Sequence, residues 1–275
     1  MFKPTSKKVK IRTIEKLHMS TISNEDIKNF ETDGFLIKKN FFDEGTINQI
    51  RNWVYEYADK QVDDWEIGKE MAYYETSKKD GTRILARIEK FIDYHNGFQN
   101  LVKSKYMTDC VDALMGQPSI FFKEKINFKK VGGGGFNPHQ DQISRWETYA
   151  KHFINVLICT DESTIENGCL EVSAGFHKMG LLGPVDQPIP QNWLEKMNFL
   201  PVISSIGDAI FFDGFTPHQS KDNKSKHPRT NVYLTYNRLS EGDNRESYFA
   251  RKRKELPPDN ERKSDFKDSP LHDYK

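Results

Sequence analysis

The stretch SIFFKEKINFKK, residues 119–130, marks the point where the sequence pattern changes from a helical period to a strand period. Its apolar and polar residues alternate: one face carries Ile120, Phe122, Ile126 and Phe128, and the other carries Lys123, Lys125, Asn127 and Lys129. Alternation of this kind is typical of a β-strand that buries one face in a core. We therefore expect the first long strand of a β-rich core here.

The sequence before this strand has helical signals. Ser23 and Asp26 have the spacing of a capping box, which predicts a short helix that stops near Gly34. Apolar residues recur at helical spacing over roughly 44–60, and a third helix is expected over 98–115. These helices do not alternate with strands, so they are expected to form a layer beside the sheets.

The sequence after it predicts further short strands, separated by segments rich in Gly, Pro, Asn and Asp. They lie at about 152–159, 168–173, 209–213 and 229–237. Many short strands preceded by helices favour a mainly β fold with flanking helices, a β-sandwich or jelly roll with an N-terminal helical layer. A parallel α/β sheet fits this order poorly.

We expect one domain over residues 1–275, because apolar residues are spread along the chain and β-rich domains often have this length. Its expected parts are a basic N-terminal tail (1–22), mainly helical support (23–117), a jelly-roll core (118–240) and a charged C-terminal extension (241–275).

Composition and charge argue against several classes of function. The 41 Lys and Arg residues and 40 Asp and Glu residues leave a net charge of +1, which gives no overall attraction to nucleic acid or anionic lipid. Cys110, Cys159 and Cys169 fit neither a disulfide framework nor a cysteine zinc site, and they suit a reducing cytoplasm. No apolar run approaches the ~20 residues of a membrane span. We expect a cytoplasmic protein that binds a small molecule; monomer and homodimer both remain open.

The stretch GGGGFNPHQD, residues 132–141, places four glycines before a His-x-Asp pair. Residues i and i+2 of an extended strand point to the same face, so His139 and Asp141 could bind one metal ion. The tripeptide is also common at surface turns, and alone it leaves both interpretations open. The glycines lack the Gly-Lys-Ser/Thr of a phosphate-binding loop, and we expect them to let the loop fold over a substrate.

A third metal ligand and a cation follow later in the chain. His218 comes after a short apolar strand, and two histidines with one carboxylate leave three coordination positions free, which suits non-haem Fe(II). Arg229 lies eleven residues further on and begins the more polar face of a predicted strand, where its guanidinium could bind a carboxylate bidentately. A 2-oxoacid with a distal carboxylate would then bind iron at one end and Arg229 at the other.

Five segments together resemble the phytanoyl-CoA dioxygenase superfamily of Fe(II)- and 2-oxoglutarate-dependent oxygenases. They are FETDGFLIKKNFF (30–42), PHQD (138–141), ENGCLEVSAGFHK (166–178), GDAIFFDGFTPHQS (207–220) and PRTNVYLTYN (228–237). The resemblance implies a double-stranded β-helix, the cupin-like form of the jelly roll. It also implies that O₂ and 2-oxoglutarate are used to hydroxylate a C–H bond, with release of succinate and CO₂.

The same resemblance assigns residues. It implies that His139, Asp141 and His218 bind the iron. It implies that Arg229 and Ser220 bind the far carboxylate of 2-oxoglutarate, with a further contact from Lys125 or Asn127. The family often has Pro-Gly-Ser-His where this chain has SAGFH, residues 173–177, so His177 is expected to make only a structural hydrogen bond.

Within the superfamily, FFKEKINFKKVGGGGFNPHQD and YLTYNRLSEGDNRESYFARKRKELPPD are similar to a subgroup that hydroxylates small aminophosphonates. This similarity implies hydroxylation of the α-carbon of 2-aminoethylphosphonate or of an N-methylated relative, in phosphonate catabolism. A phosphonate needs cations and an ammonium group needs an acidic or aromatic surface. The candidates are Lys123, Arg145 and His152 for the phosphonate, and Glu89, Trp146 and Tyr149 for the ammonium group.

Other functions stay open at this point. A hydroxylase of a free amino acid or of a betaine-like metabolite would need the same iron site. A non-catalytic jelly-roll binding protein would keep the fold but would have no need for the full set of His139, Asp141, His218 and Arg229. A zinc hydrolase could use two histidines and a carboxylate, yet it would have no use for Arg229.

Overall fold

The structure is a computed structural model, and it describes residues 21–263. Its α-helices are α1 (Asn24–Asp33), α2 (Glu44–Ala58), α3 (Asn96–Lys103), α4 (Lys105–Met115), α5 (Gln191–Leu194) and α6 (Arg245–Glu255). Its strands are β1 (Phe35–Lys38), β2 (Met71–Thr76), β3 (Arg83–Glu89), β4 (Ser119–Lys129), β5 (Phe136–His139), β6 (Phe153–Cys159), β7 (Leu170–Val172), β8 (Leu200–Pro201), β9 (Ala209–Asp213), β10 (His218–Ser220) and β11 (Arg229–Arg238). Nearly all of the expected N-terminal tail lies outside the described residues, as does the end of the C-terminal extension.

The strands form two antiparallel sheets. The larger has seven strands in the order β1-β9-β6-β11-β4-β3-β2, and the smaller has four in the order β5-β10-β7-β8. Apolar side chains from both sheets pack together in one cluster, which includes Leu157 and Phe212 of the larger sheet and Leu170 and Val172 of the smaller. Two facing antiparallel sheets confirm the predicted jelly roll.

Helices cover the outer face of the larger sheet, as predicted. The main core cluster joins Ile126 and Val232 of the sheet to Ile50 of α2 and Val111 of α4. Apolar residues on these helices recur on one side, so burying that side against the sheet is the main source of their stability. The helical layer therefore leaves the opposite, inner face of the larger sheet for the functional site.

The helix ends agree with their local sequence signals, with one exception. The Ser23 hydroxyl accepts a hydrogen bond from the Asp26 N–H at 3.2 Å, and α1 ends at Gly34 with a left-handed φ of 82°. The single helix expected over 98–115 is instead two helices. They are separated at Ser104, whose extended backbone ends α3 and whose hydroxyl accepts from the N–H of Met107 to begin α4.

The segment expected to be mainly helical, residues 23–117, also contains three strands of the larger sheet. β2 and β3 pair with each other and, through β3, with β4, while β1 pairs with β9 at the other edge. Four consecutive residues of β2, 71–74, are buried. A strand buried on both faces lacks the alternation by which strands are predicted from sequence.

The strand quoted at the outset is present, but one apolar residue lies on the other face. Lys123 pairs with Thr235 and Phe121 pairs with Tyr236, so Phe122 is an extra residue in a β-bulge. Its ring packs against Tyr248 in a separate aromatic cluster on the inner side of the sheet. Ile126 and Phe128, by contrast, belong to the core beneath the helices, as expected.

The C-terminal extension folds back across the end of the larger sheet. α6 ends beside Leu256, whose carbonyl accepts a hydrogen bond from the hydroxyl of Tyr73 on β2 at 3.0 Å. At its other end, Arg245 donates to Asp93 at 2.8 Å and to Glu124 on β4 at 3.0 Å. This helix thus becomes part of the wall of the inner face. In the described part of the chain, none of the helices combines the length and the apolar character needed to span a membrane.

Candidate functional site

Three possible metal ligands meet at the mouth of the jelly roll. β5 and β10 pair antiparallel with His139 opposite His218, and Asp141 follows directly after β5. The Asp141 carboxylate oxygens lie 4.0 Å from the Nε2 atom of His139 and 4.0 Å from that of His218. One ligand atom from each residue lies within 4.8 Å of the other two. The structure thus brings together the three residues that the sequence suggested.

Backbone carbonyls orient both imidazoles toward a common point. The Nδ1 atom of His139 lies 2.7 Å from the carbonyl oxygen of Asn137, and that of His218 lies 2.9 Å from the carbonyl oxygen of Thr216. A carbonyl only accepts hydrogen bonds, so each Nδ1 carries the proton and each Nε2 presents a lone pair. This second layer of hydrogen bonds is typical of histidines that bind metals.

The charge states also suit a divalent ion. Burial lowers the pKa of His139 to about 3, and it lowers the pKa of His218 as well, so both rings are neutral. Burial works against ionisation of Asp141, but the ammonium of Lys125 holds the pKa of this carboxyl below its usual range. Two neutral imidazoles and one carboxylate are the forms in which these groups bind metal.

The residue between the two first ligands, Gln140, anchors the pair from behind. Its side chain is fully buried and donates hydrogen bonds to the carbonyls of Gly180 at 2.8 Å and Phe215 at 2.6 Å. Its amide oxygen accepts from the N–H of Leu182 at 2.8 Å. Gln140 therefore connects the His-x-Asp backbone to the loop after residue 180 and to the loop before His218.

Two buried cations lie beside Ser220, to one side of the metal cluster. Arg229 is buried at the start of β11, and its Nη2 atom donates to the carbonyl of Gly168 at 2.8 Å. Lys129 of β4 is its direct partner across the strands, and its ammonium donates to the hydroxyl of Ser220 at 2.7 Å and to the carbonyl of Lys221 at 2.6 Å. We call Arg229, Lys129 and Ser220 the tail site. Sequence reasoning named Arg229 and Ser220 but not Lys129, although Lys129 ends the same polar face of β4.

A cavity of about 110 Å³ extends from the metal cluster over the inner face of the larger sheet. Lys125 lies at its centre, with its ammonium 3.9 Å from a carboxylate oxygen of Asp141. Asn127 also lines it, and its buried amide oxygen has no hydrogen-bond partner in the described part of the chain. The two residues expected to make a further cosubstrate contact thus both face the cavity.

Of the residues predicted to bind substrate, Lys123 and Trp146 line the cavity directly. Glu89 is fully buried behind its wall, where one carboxylate oxygen lies 2.5 Å from the ammonium of Lys252 and the other lies 3.1 Å from the Nε atom of Arg87. Burial opposes ionisation of Glu89, but Lys252 holds the pKa of this carboxyl below its usual range.

Three other predicted substrate residues do not reach the cavity. Arg145 has a left-handed backbone, with φ of 61°, and its half-exposed side chain pairs with Asp186 on the surface. Tyr149 packs its ring against that of Tyr248, behind the cavity wall. His152 precedes β6, where its N–H donates to a carboxylate of the loop before α6. These positions give none of the three a contact with a molecule in the cavity.

Several lining residues were missed, and four of them are on α6. The helix contributes Tyr248, Arg251, Lys252 and Glu255, and β3 and β11 add Arg87 and Tyr233. The spacing of the α6 residues, three and four apart, places them on one face of a helix. That spacing was readable in the sequence, but the run of charges around it suggested a solvent-exposed extension.

Three of the four glycines before His139, Gly132, Gly133 and Gly135, lie where an added Cβ would be too close to neighbouring atoms. All of Gly132–Gly135 are buried, and a Cβ atom at Gly135 would lie 2.3 Å from the carbonyl oxygen of Ser220. The N–H of Gly135 also donates to Asp222 at 2.7 Å. The glycines therefore let this loop approach the backbone of β10, and their movement over a substrate stays a prediction.

His177 lies apart from the metal cluster, at the end of α1. Its ring lies near the backbone of Glu31, and burial lowers the pKa of the ring. The absence of a side chain at Gly34 leaves space for the His177 ring, because a Cβ at Gly34 would lie 2.4 Å from the Nδ1 atom of His177. A structural role is the one that this position supports.

Comparison with known proteins gives the same classification. Residues 30–231 match the model of the phytanoyl-CoA dioxygenase (PhyH) family. The chain is 37% identical over 247 residues to the 2-aminoethylphosphonate dioxygenase of uncultured bacterium HF130_AEPn_1, covering 89% of this chain and 92% of that protein. It is 36% identical over 237 residues to the methylphosphonate hydroxylase of Gimesia maris, covering 86% of this chain and 88% of that one.

The fold is shared with a solved structure of low sequence identity. EctD from S. alaskensis, with 2-oxoglutarate and 5-hydroxyectoine, superposes with a TM-score of 0.69 at 18% identity, covering 84% of this chain and 86% of that one. The similarity supports the jelly-roll assignment independently of the sequence match. The family match spans most of the chain, and the three possible metal ligands lie together at the mouth of the jelly roll. This protein therefore belongs to the phytanoyl-CoA dioxygenase family and is an Fe(II)- and 2-oxoglutarate-dependent dioxygenase.

Proposed function

We propose that this enzyme hydroxylates a C–H bond of a small phosphonate, and that the first candidate is the α-carbon of 2-aminoethylphosphonate or of an N-methylated relative. The observation that carries the proposal is the charge of the cavity wall. Arg87, Lys123, Lys125 and Lys252 all line the cavity beside the metal cluster. The similarity to two proteins named for phosphonate substrates supports the same class.

The cations of this wall exceed the anions that face them. Glu89 pairs with Lys252 and Arg87, and Asp141 is the carboxylate of the metal cluster. Burial lowers the pKa of Lys123 and of Lys125, which reflects the cost of keeping these ammonium groups charged away from water. A dianionic group in the cavity would offset that cost.

Each part of the site has one role in this proposal. His139, Asp141 and His218 hold the iron, which together with 2-oxoglutarate and O₂ supplies the power to replace C–H by C–OH. Arg229, Ser220 and Lys129 bind the far carboxylate of 2-oxoglutarate in the tail site. We assign the further cosubstrate contact to Asn127, because it lies between Lys125 and Lys129 on β4 and lines the cavity, where its amide nitrogen can donate to a carboxylate oxygen.

A second candidate substrate is methylphosphonate, which has no ammonium group. Four rings of Phe, Trp and Tyr residues line the cavity, and each already has a lysine of the chain over it; for Phe136 this is Lys129, at 6.0 Å from the ring centre. Lys123 lies 4.9 Å from the ring centre of Trp146 and 5.0 Å from that of Tyr248, and Lys125 lies 4.8 Å from that of Tyr233. These lysines occupy surface that a substrate ammonium group would use.

The remaining organisation of the enzyme follows from the same proposal. Both sheets, the helical layer and α6 contribute to one site, so we propose a single catalytic domain that includes residues 23–263. We further propose a cytoplasmic location, where buried thiols that form no disulfide and ferrous iron are maintained. Size-exclusion chromatography with light scattering would distinguish a monomer from a homodimer.

The test has two stages. Under anaerobic conditions, Fe(II) and 2-oxoglutarate should give a weak visible charge-transfer band that the Asp141→Ala variant lacks. In air, 2-aminoethylphosphonate, its N-trimethylated form and methylphosphonate should be compared with amino acids and betaines for substrate-dependent release of succinate. Absence of the band would contradict the oxygenase chemistry. Succinate release with an amino acid or a betaine alone would contradict the phosphonate substrate.

A further inference from the structure

One end of the cavity contains a cluster of donors centred on a tyrosine of α6. The hydroxyl of Tyr248 accepts hydrogen bonds from the ammonium of Lys123 at 2.9 Å and from that of Lys252 at 3.3 Å. All three side chains are buried and line the cavity. Two accepted hydrogen bonds occupy both lone pairs of the hydroxyl, so its own proton remains to be donated.

The cluster has more hydrogen-bond donors than partners. An ammonium group has three N–H donors. In the described part of the chain, Lys123 uses one on Tyr248, and Lys252 uses two, on Tyr248 and Glu89. The hydroxyl proton of Tyr248 has no acceptor there either. Buried donors are normally satisfied, so these groups indicate a ligand that is rich in acceptors.

The charge of the cluster indicates the sign of that ligand. Glu89 is the one carboxylate in hydrogen-bond contact with the cluster, and it is shared between Lys252 and Arg87. Lys123 has no carboxylate within ion-pair distance in the described residues. A group with several anionic oxygens would satisfy both the charge and the unused donors.

This cluster is separate from the tail site. Lys123 and Lys129 are six residues apart on β4, which corresponds to about 20 Å along an extended strand. Lys125 lies between them, and its ammonium is the one that lies 3.9 Å from Asp141. The two groups of cations therefore flank the metal cluster on opposite sides. A 2-oxoglutarate molecule held at the metal and the tail site leaves the other group of cations for a second anion.

We infer that Lys123, Tyr248 and Lys252 form a distal anion site that binds the phosphonate group of the substrate, so that α6 determines which substrates the enzyme accepts. The inference rests on the proposed function and deepens it. The family match ends at residue 231, whereas Tyr248 and Lys252 lie beyond it on α6. The distal anion site is thus a property of this chain that membership of the family does not supply.

The variants must remove the site without leaving an unpaired buried charge. Lys252→Met alone would deprive Glu89 of its nearest cation, which is strongly destabilising for a buried pair. The double variant E89Q/K252M removes both charges together and keeps an amide oxygen that can accept a hydrogen bond from Arg87. Tyr248→Phe keeps the ring and removes only the hydroxyl. Lys254→Met, on the exposed side of the same helix, is the matched control.

Binding is best measured without turnover. The full-length protein is loaded with Zn(II) and 2-oxoglutarate and added to 2-aminoethylphosphonate or methylphosphonate. Broadening of the ³¹P resonance of each phosphonate then reports its binding. Wild type and K254M should broaden the resonance of at least one of the two phosphonates equally. E89Q/K252M should bind about tenfold more weakly or worse, because a hydrogen bond to a charged group is worth roughly that factor. Tyr248→Phe should show a smaller loss in the same direction. The anaerobic Fe(II) and 2-oxoglutarate band should be unchanged in all variants.

The outcomes separate this inference from the proposed function. Equal broadening by wild type, Tyr248→Phe and a folded E89Q/K252M would overturn the distal anion site, even if the enzyme oxidises phosphonates. If the double variant does not fold, unchanged binding by Tyr248→Phe overturns it in the same way. A wild type without the Fe(II) and 2-oxoglutarate band would instead overturn the oxygenase chemistry. A wild type that broadens neither resonance would overturn the distal anion site itself.

Discussion

Replacing Gly135 by alanine tests whether the glycine loop is a packed part of the site. The new Cβ would lie 2.3 Å from the carbonyl oxygen of Ser220 and 2.8 Å from the carbonyl carbon of Lys221. Ordinary contacts of a Cβ begin at 3.4 Å, so either the loop or β10 must move. Closing that gap requires a shift of about 1 Å, and overpacking of this kind typically costs ~1–3 kcal/mol.

The assay is thermal unfolding together with the KM for 2-oxoglutarate. A loss of ~1–3 kcal/mol lowers the melting temperature by about 2–4 °C per kcal/mol in a protein of this size. The KM should rise as well, because the strand that moves carries Ser220 of the tail site. The control is Gly45→Ala near the start of α2, where the Cβ would make an ordinary contact of 3.5 Å with Asp43.

Gly45→Ala should stabilise the protein by ~0.4–1 kcal/mol, because alanine restricts the unfolded chain more than glycine does. The two alanine variants therefore have opposite expected signs. If Gly135→Ala melts at the wild-type temperature, the loop can shift to accommodate the Cβ without a measurable loss of stability. The packing explanation for the loop glycines would then be wrong, and a mobile loop would explain them better.

Three further predictions follow from the site. Lys129→Met should raise the KM for 2-oxoglutarate roughly tenfold, because the tail site loses a cation and the charged hydrogen bond that positions the Ser220 hydroxyl, while the KM for the phosphonate, measured at saturating 2-oxoglutarate, stays unchanged; a rise in the phosphonate KM alone would place Lys129 in the other site. Inorganic phosphate, which has similar oxygens but no C–H bond, should inhibit competitively against the phosphonate and not against 2-oxoglutarate; the reverse pattern in initial-rate measurements would locate it in the tail site. All three thiols should resist iodoacetamide at about pH 8, since burial raises the pKa of Cys110 to about 11 and of Cys159 to about 12, and also raises that of Cys169. Mass spectrometry should therefore find label only after denaturation, and labelling of the native protein would show that the thiols are accessible.

The first two metal ligands were readable from the sequence because their spacing is local, whereas His218 was assigned from its place after a short apolar strand and from the family resemblance. His139 and Asp141 are two residues apart on extended backbone, and His218 and Arg229 are separated by a loop and the start of one strand. The period of two along β4 likewise predicted that Lys125 and Asn127 share a face, and both line the cavity. Such arguments need only the geometry of a single strand.

The substrate wall was harder to predict because it depends on tertiary packing. Arg145 and Tyr149 are close to Asp141 in sequence, but the Arg145 side chain pairs with Asp186 on the surface and the Tyr149 ring packs against Tyr248. The wall is completed instead by Tyr248 and Lys252, more than a hundred residues later in the chain. Their spacing on one helix face was visible, yet only the fold of α6 over β3 and β4 shows what that face contacts.

The same contrast between local and tertiary signals explains which features of the fold were predicted correctly and which were not. The ends of α1 were predicted because a capping box and a glycine leave local signals. β2 was not, because burial on both faces removes the alternation of polar and apolar residues. The bulge at Phe122 is a property of the pairing between β4 and β11, and the sequence of one strand does not contain it.

The anchoring of Gln140 has a consequence for the choice of metal. Three hydrogen bonds from its side chain, and the two carbonyls behind the imidazoles, set the spacing of the ligand atoms from outside the cluster. Nitrogen and oxygen donors so fixed bind Zn²⁺ and Cu²⁺ more tightly than Fe²⁺, following the general order for divalent ions. The ligand geometry therefore does not by itself select Fe²⁺ over Zn²⁺ or Cu²⁺. The metal ion that occupies the site depends on which ions are available to the protein.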